Sequence, residues 1–405
     1  MRLKSINNLL DRKEMSAEGA GYIGIFNDSF PPVIDGVTQT ILNYADHLQR
    51  KGHEICIVTP RNPVEVETDY KMVRYFSLPI RSRKPYRYGY PKLDFNIWKE
   101  MRNTPFRLIH SHSPFAAGRL GVYAKKHQGM PLIGTFHSKY KSDLKHSFKL
   151  LPFCVPIIMN RILNFYNACD EVWIPQPSVE ETLREYGYKG KVEVVANGID
   201  YASRDSANVA ELKKASRGRF NIKDDELALL FVGQHIWEKG IGIIVDALKL
   251  LEGKVKFKMT FIGNGYAKAA LRKKVEELGL QDRVQMLDLI TDREELGAHY
   301  AAADLFVFPS RYDNAPLVVR EAACMGTPSI IPDGSTAAEL IVDGKNGYLA
   351  ADTPEGYAAA IERLATRRGE LPGIGLAAKE GLVRDWADVI EEVEDRYMKL
   401  IARSK

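Results

Sequence analysis

Cysteine is scarce in this chain: four in 405 residues, at 56, 154, 169 and 324, with no C-x-x-C pair among them. That spacing excludes a disulfide framework and a structural zinc knuckle, and it suits a reducing compartment. Long apolar runs are absent as well. The most apolar window, LLPFCVPIIM at 150–159, is interrupted by Pro152 and Pro156. It falls far short of the roughly 20 residues a spanning helix needs. The opening MRLKSINNLLDRKEMSAEG holds no apolar core of the kind a secretory signal requires. These absences lead us to expect a cytoplasmic protein. Internal repeats and low-complexity tracts are lacking too.

Charge is present but unevenly spread. The net charge is +5, yet residues 81–149 hold 15 Lys/Arg against 3 Asp/Glu, or +12, which leaves −7 (5 − 12) for the rest. A lobe so basic is suited to an anionic partner: nucleic acid, an anionic membrane surface, or a substrate cleft beside a solvated basic face. Zinc-finger spacing and an RNP-like aromatic motif are both missing, so nucleic acid is not expected.

Short runs rich in Val, Ile and Phe recur between helical stretches. YIGIFN, EICIVTP, RLIHSH, PLIGTFH, EVWIPQ and VEVVAN mark the first half; LALLFVG, KFKMTFIG, VQMLDLI, LFVFPS and PSIIPD mark the second. Near-continuous apolar strands alternating with helices signal parallel sheets covered on both faces. The fold class expected is α/β, with two Rossmann-like doubly wound domains facing each other across a cleft. The pattern pauses in the polar stretch 198–226, read here as a linker. It separates an N-terminal domain, 21–197, from a C-terminal domain, 227–384. The final segment spaces Leu382, Trp386, Val389, Ile390, Val393, Tyr397 and Ile401 at helical intervals. It reads as an amphipathic helix over 385–405 that completes the first domain.

SRYDNAPLVVREA, residues 310–322, follows the apparent strand LFVFPS. Asp313 or Asn314 can cap the helix that follows, Pro316 fits its first turn, and Gly326 is placed to end it. Free N–H groups near Pro316–Val318 can hold a phosphate at the carboxyl end of a parallel sheet. Asp313 then lies just outside that anion site and Glu321 one turn inside, where each carboxylate could accept from paired sugar hydroxyls. Alone, the pair also reads as a capping Asp and a surface Glu.

The stretch PSRYDNAPLVVREA resembles the frame P-S-x-x-E-x-x-P-x-x-x-x-E-A of retaining glycosyltransferases of family 4, which have the GT-B fold. Five more stretches are similar in order and spacing: NDSFPPVIDGVTQT, LIHSHSPF, VVANGID, FVGQHIWEKG and FIGNGYAKAAL. The resemblance implies a hexosyltransferase that uses a nucleotide-diphosphate sugar, expected to be UDP-linked. Glu321 is implied to bind the ribose hydroxyls and Asp313 the hydroxyls of the transferred sugar. Asn314, Ala315, Pro316, Leu317 and Val318 are implied to line sugar and phosphate, and Lys239 to neutralise the departing diphosphate. His112 is implied to face the donor sugar. Gly36 opens a helix whose N-terminus could touch the donor phosphate or the acceptor.

Two positions depart from the family pattern: Gln234 stands where an arginine is expected, and Asp313 where a glutamate is. His235 or another basic residue could supply the missing cation. His110, His112 and His137 fall at or near strand ends and could ligate a metal. There is no D-x-D triplet, the metal signature of the other large glycosyltransferase fold, so metal-independent transfer without a cofactor is expected. Retention is implied through internal return, the leaving diphosphate taking the acceptor's proton on the same face. The acceptor expected is a lipid, lipid-linked or saccharide molecule of glycolipid or cell-envelope polysaccharide synthesis. Residues 139–166 pair lysines with an apolar face, fit for peripheral contact with an anionic inner membrane surface. A non-catalytic nucleotide-sugar-binding partner subunit and a GT-B-type nucleotide-sugar epimerase stay open as alternatives. A phosphorylase of the same architecture should be far longer and bear a pyridoxal lysine.

Overall fold

The computed structural model describes residues 21–80, 85–141, 144, 153–199, 206–311 and 313–404. The readings of residues 1–20 and of the middle of the basic segment 139–166 lie outside them. The chain divides into two compact units, 1–197 with 386–405, and 198–385.

The first unit runs β1 (Tyr22–Phe26), α1 (Gly36–Arg50), β2 (Ile55–Pro60), β3 (Lys71–Tyr75), β4 (Ser77–Pro79), β5 (Arg87–Gly89), α2 (Phe95–Asn103), β6 (Phe106–Ser111), α3 (Ala116–Gln128), β7 (Leu132–Thr135), α4 (Cys154–Ala168), β8 (Glu171–Ile174), α5 (Val179–Glu185) and β9 (Val192–Val194). Its main sheet is parallel, in the order β3-β2-β1-β6-β7-β8-β9; β4 and β5 form a separate antiparallel hairpin. The second unit runs α6 (Ser206–Arg219), β10 (Leu227–Val232), α7 (Ile241–Leu250), β11 (Phe257–Ile262), α8 (Lys268–Glu277), β12 (Val284–Leu287), α9 (Arg293–Ala302), β13 (Leu305–Val307), α10 (Leu317–Cys324), β14 (Ser329–Pro332), β15 (Tyr348–Ala350), α11 (Pro354–Ala365) and α12 (Leu371–Leu382). Its sheet is also parallel, in the order β12-β11-β10-β13-β14-β15. The last helix, α13 (Trp386–Arg403), returns to the first unit.

Both sheets have the doubly wound layout that the apolar runs imply. Every residue of β2 and of β10 is buried, as strands covered on both faces require. In the first unit Ile23 and Ile25 point to one layer, with Ile41 and Tyr44 of α1 and with Trp386, Val389, Ile390, Val393 and Tyr397 of α13. Phe26 points to the other layer, with Ala117 and Leu120 of α3 and Phe165 of α4. Burial of each large aliphatic side chain contributes roughly 1.5–3 kcal/mol, so α13 is an integral wall of this core.

Residues 198–226, read from their polarity as a linker, fall in the second unit and carry helix α6. The polarity has a different cause. Lys213 and Arg217 of α6 reach the buried Asp304 at 3.1 and 3.0 Å, and Arg368 joins them at 3.1 Å. Part of the charge that marked a linker is thus an ion-pair anchor for α6.

Each sheet reverses its strand order once, between β1 and β6 in the first unit and between β10 and β13 in the second. The connections leaving the carboxyl ends of such a strand pair splay apart, and the crevice between them is the usual ligand position in this class of fold.

Candidate active site

The site residues expected from sequence sit at those two reversals. Gln234 and Lys239 lie on the connection after β10, Asp313–Glu321 on the connection after β13 and in α10, Gly36 after β1, and His112 after β6.

In the second unit two glycines shape the first loop. Gly233 has φ +158° and Gly240 φ +70°. A β-carbon on Gly240 would stand 2.4 Å from the Pro309 carbonyl oxygen, so only glycine permits this approach as well as this dihedral. The contact draws the two loops together. Lys239 Nζ donates to Asp313 Oδ1, and Ser310 Oγ donates to Asp313 Oδ2 at 2.6 Å. The ammonium also lies over the Phe308 ring, 5.6 Å from its centroid.

Helix α10 corrects the capping expectation. Its N-cap is Pro316, with no side-chain bond, because the Asp313 carboxylate is committed to Lys239 and Ser310. Asn314 is buried; Ala315, Leu317 and Val318 are half-buried beside Pro316. The helix ends before Gly326, whose φ of +70° makes the left-handed exit the sequence implied.

Glu321 is no surface residue: it is 7% exposed. Arg293 donates to its Oε1 at 2.7 Å and the Tyr300 hydroxyl to its Oε2 at 2.8 Å, both from α9. Each oxygen of Glu321 and of Asp313 thus accepts one of these bonds, and a carboxylate oxygen has about two acceptor positions. Both carboxylates keep capacity for ligand hydroxyls. Arg293 and Tyr300 escaped the reading of the sequence; they stand 28 and 21 residues before Glu321, and no local motif links them.

His235 does not replace the cation missing at Gln234. It is fully buried, and burial pushes its imidazole down to about 4, with Lys268 acting in the same sense. It is therefore a neutral ring at neutral pH. Its backbone is gripped instead: its N–H donates to the Asn264 carbonyl at 3.0 Å, and a β-carbon on Gly265 would come within 2.3 Å of its carbonyl oxygen.

In the first unit, Gly36 opens α1, and Asp35 caps the helix by accepting from the Thr38 N–H at 2.8 Å. The hydroxyl of Tyr86 donates to the other Asp35 oxygen at 2.9 Å. Next to this loop the half-buried Asp28 accepts from Tyr75 Oη at 2.7 Å, from Ser113 Oγ and from the Ala117 N–H at 3.1 Å. Burial pushes its carboxyl above the ordinary range, against those bonds.

His112 is 2% exposed and pairs with His137, Nδ1 to Nε2, at 2.9 Å. His110 lies beneath, its nitrogens paired with Tyr397 Oη and Thr135 Oγ1, each at 2.6 Å. Burial lowers the basicity of all three rings, His137 to about 4. With both nitrogens of His110 already engaged, the three histidines do not form a ligand set. Among the described residues no group of three or more His, Cys, Asp or Glu is placed to hold a metal ion.

Residues 34–203 match the family model for Glycosyltransferase Family 4, and residues 213–379 match that for Glycosyl transferases group 1. The alpha-monoglucosyldiacylglycerol synthase of Streptococcus pneumoniae is 26% identical over 332 residues, 81% of this chain and 74% of that protein. The GDP-mannose-dependent alpha-mannosyltransferase of Corynebacterium glutamicum is 24% identical over 395 residues, 95% of this chain and 90% of that protein. Among solved structures, Anabaena HepE in complex with UDP and glucose superposes with a TM-score of 0.74 at 17% identity, covering 93% of this chain and 99% of the other. With one model spanning each parallel-sheet unit, the chain belongs to the family 4, group 1 glycosyltransferases and has their GT-B fold.

Proposed function

We propose that the protein moves a hexose from a UDP-linked donor to a lipid, lipid-linked or saccharide acceptor, with retention of configuration and without a metal ion. The observation that carries this reading is the convergence of Lys239 and Asp313 from the two loops at the strand-order reversal of the second unit. It sets a cation and a hydroxyl acceptor side by side, the two groups a sugar diphosphate needs at its scissile bond.

In this reading Glu321 holds the ribose hydroxyls, kept in place by Arg293 and Tyr300. Asp313 and the backbone of Asn314–Val318 hold the sugar and the phosphate nearest it. Lys239 stabilises the charge that grows as the bond from the anomeric carbon to the diphosphate breaks. The acceptor oxygen bonds that carbon from the same face, and its proton passes to the departing phosphate oxygen. His112 and Gly36 are assigned to the sugar and to the phosphate or acceptor on the resemblance of their motifs.

A UDP donor and a lipid acceptor draw support from the names of the relatives, a glucosyldiacylglycerol synthase and a structure holding UDP and glucose. The GDP-mannose-dependent relatives favour a second reading in which the base is guanine. Peripheral membrane contact draws support from Phe153, just before α4, and Ile157, within it, which are 66% and 53% exposed. No helix among the described residues is long and apolar enough to cross a membrane.

The test is nucleotide release from UDP-glucose, UDP-galactose, UDP-N-acetylglucosamine and GDP-mannose, with and without lipid extract, for wild type and Glu321→Ala. Release from one donor, lost in the variant, supports the reading and names the donor. Binding without turnover under every acceptor condition would favour the non-catalytic partner subunit.

A further inference from the structure

We propose that His137 is a positioning residue for His112, fixing the ring plane and the tautomer with which His112 presents its outer nitrogen. The inference rests on the assignment of His112 to the donor sugar made above.

The two histidines reach the same rim of the sheet from neighbouring strands. β6 and β7 are paired, Ser111 opposite Gly134, so the residues that leave their carboxyl ends emerge together. The His112 N–H donates to the Phe26 carbonyl at 2.8 Å, which ties the start of this exit to β1. The His112 and His137 rings lie nearly parallel, 5.2 Å apart at 18°, and meet through Nδ1 and Nε2 at 2.9 Å. His110 covers the ring of His112 at 4.0 Å, and Tyr44 meets it edge-on at 5.3 Å. Packing therefore holds the ring, and one side nitrogen is held by one partner.

The other nitrogen is left over. His112 Nε2 is buried and makes no hydrogen bond to any described residue. A buried polar atom of this kind calls for a partner, and none of the described residues supplies one. Sugar hydroxyls, which both donate and accept, suit it.

What Nε2 offers depends on His137. Both rings are held neutral by burial, so each carries one proton. One proton lies in the bond between them. If His137 donates from Nε2, then His112 accepts at Nδ1 and carries its own proton on Nε2, where it donates to a ligand. If His112 donates from Nδ1, its Nε2 is a lone pair and accepts instead. The two tautomers are coupled, and the state of the nitrogen that faces the ligand is set one residue away from it. The bond at one ring nitrogen fixing the role of the other is a general property of histidine sites.

The experiment combines two readouts on the full chain for wild type, His137→Gln and His137→Leu. The first is nitrogen-15 NMR of histidine-labelled protein, with His112→Gln to assign the His112 resonances among the nine histidines. The second is nucleotide release from UDP-glucose and GDP-mannose. We expect one His112 tautomer in wild type and a mixture in His137→Leu. Turnover in His137→Leu should fall by about tenfold, the scale of one oriented hydrogen bond, with a smaller change in donor KM. His137→Gln, whose amide can donate or accept, should restore most of both. Unchanged tautomer and kcat in His137→Leu would overturn the proposal. So would equal losses in His137→Gln and His137→Leu that track their thermal midpoints, since packing alone would explain those. Absence of release from wild type with the tautomer coupling intact would overturn the transfer reading and leave the coupling supported.

Discussion

Lys239 and Asp313, 74 residues apart in the chain, are joined as an ion pair between the connections that leave the adjacent strands β10 and β13. In the proposed function Lys239 is the cation a diphosphate would use, and the carboxylate already engages it. Asp313→Asn should therefore bind UDP more tightly, because the lysine loses an anionic neighbour, while turnover falls through loss of the charged acceptor for sugar hydroxyls. Calorimetric titration with UDP beside a turnover assay checks both signs; weaker UDP binding in the variant would argue against competition at Lys239.

Gly240 combines a left-handed dihedral with contact against Pro309, whereas Gly344 has nearly the same φ, +69°, and open space around it. Gly344→Ala should cost about 1 kcal/mol for the dihedral alone. Gly240→Ala should cost more and displace Lys239 from Asp313. Urea unfolding of the two variants gives the comparison, and equal losses would show that the Pro309 contact gives way.

Acid should destabilise the fold through its buried histidines. The folded-state basicities of His137 and His235 are depressed to about 4 from an ordinary value near 6.5. Between those values the unfolded chain binds more protons than the folded one, so stability rises with pH across that window and is lost as pH falls through it. Asp28, with its carboxyl raised, acts in the opposite sense and offsets part of the loss. Chemical unfolding at pH 7, 6, 5 and 4 should show a declining free energy, with a shallower decline in His235→Leu.

Tyr397→Phe removes the hydroxyl at 2.6 Å from His110 Nδ1 and leaves that nitrogen buried. The expected cost is about 1–3 kcal/mol, the scale of an unsatisfied buried polar group. A thermal shift no larger than that of an exposed substitution such as Glu391→Ala would contradict it.

Ile157→Glu, on the exposed face of α4, should reduce co-sedimentation with anionic vesicles at low salt while leaving turnover of a soluble acceptor unchanged. Wild type that fails to sediment would sink the membrane reading outright.

The layout of the fold was legible where chemistry is local and repeated. Buried strands such as LALLFV announce themselves by continuous apolarity, and α13 by helical spacing from Trp386 to Ile401. The hairpin of β4 and β5 carried no such sign: three-residue strands containing Pro79 and Gly89 show no alternation to read. Helix α6 was hidden because two of its cations, Lys213 and Arg217, pair with the buried Asp304, and a charged helix of this kind has no apolar stripe to read. In the candidate site, the residues carried by motifs could be named, but their partners could not. Arg293 and Tyr300 meet Glu321 only through the packing of α9 on α10, and His137 meets His112 only through pairing of β6 with β7.

Because α13 walls the first unit, that unit cannot close its core until Trp386–Arg403 has been synthesised. Some 188 residues of the second unit (385 − 197) leave the ribosome before Trp386 does. At about 5–20 residues per second that interval is on the order of 10–40 s. Throughout it, Tyr44, Trp173 and His110 lack Trp386 and Tyr397, against which they pack in the finished fold. The nascent chain thus carries an apolar face that a chaperone could hold, and the histidines of the site acquire their backing last.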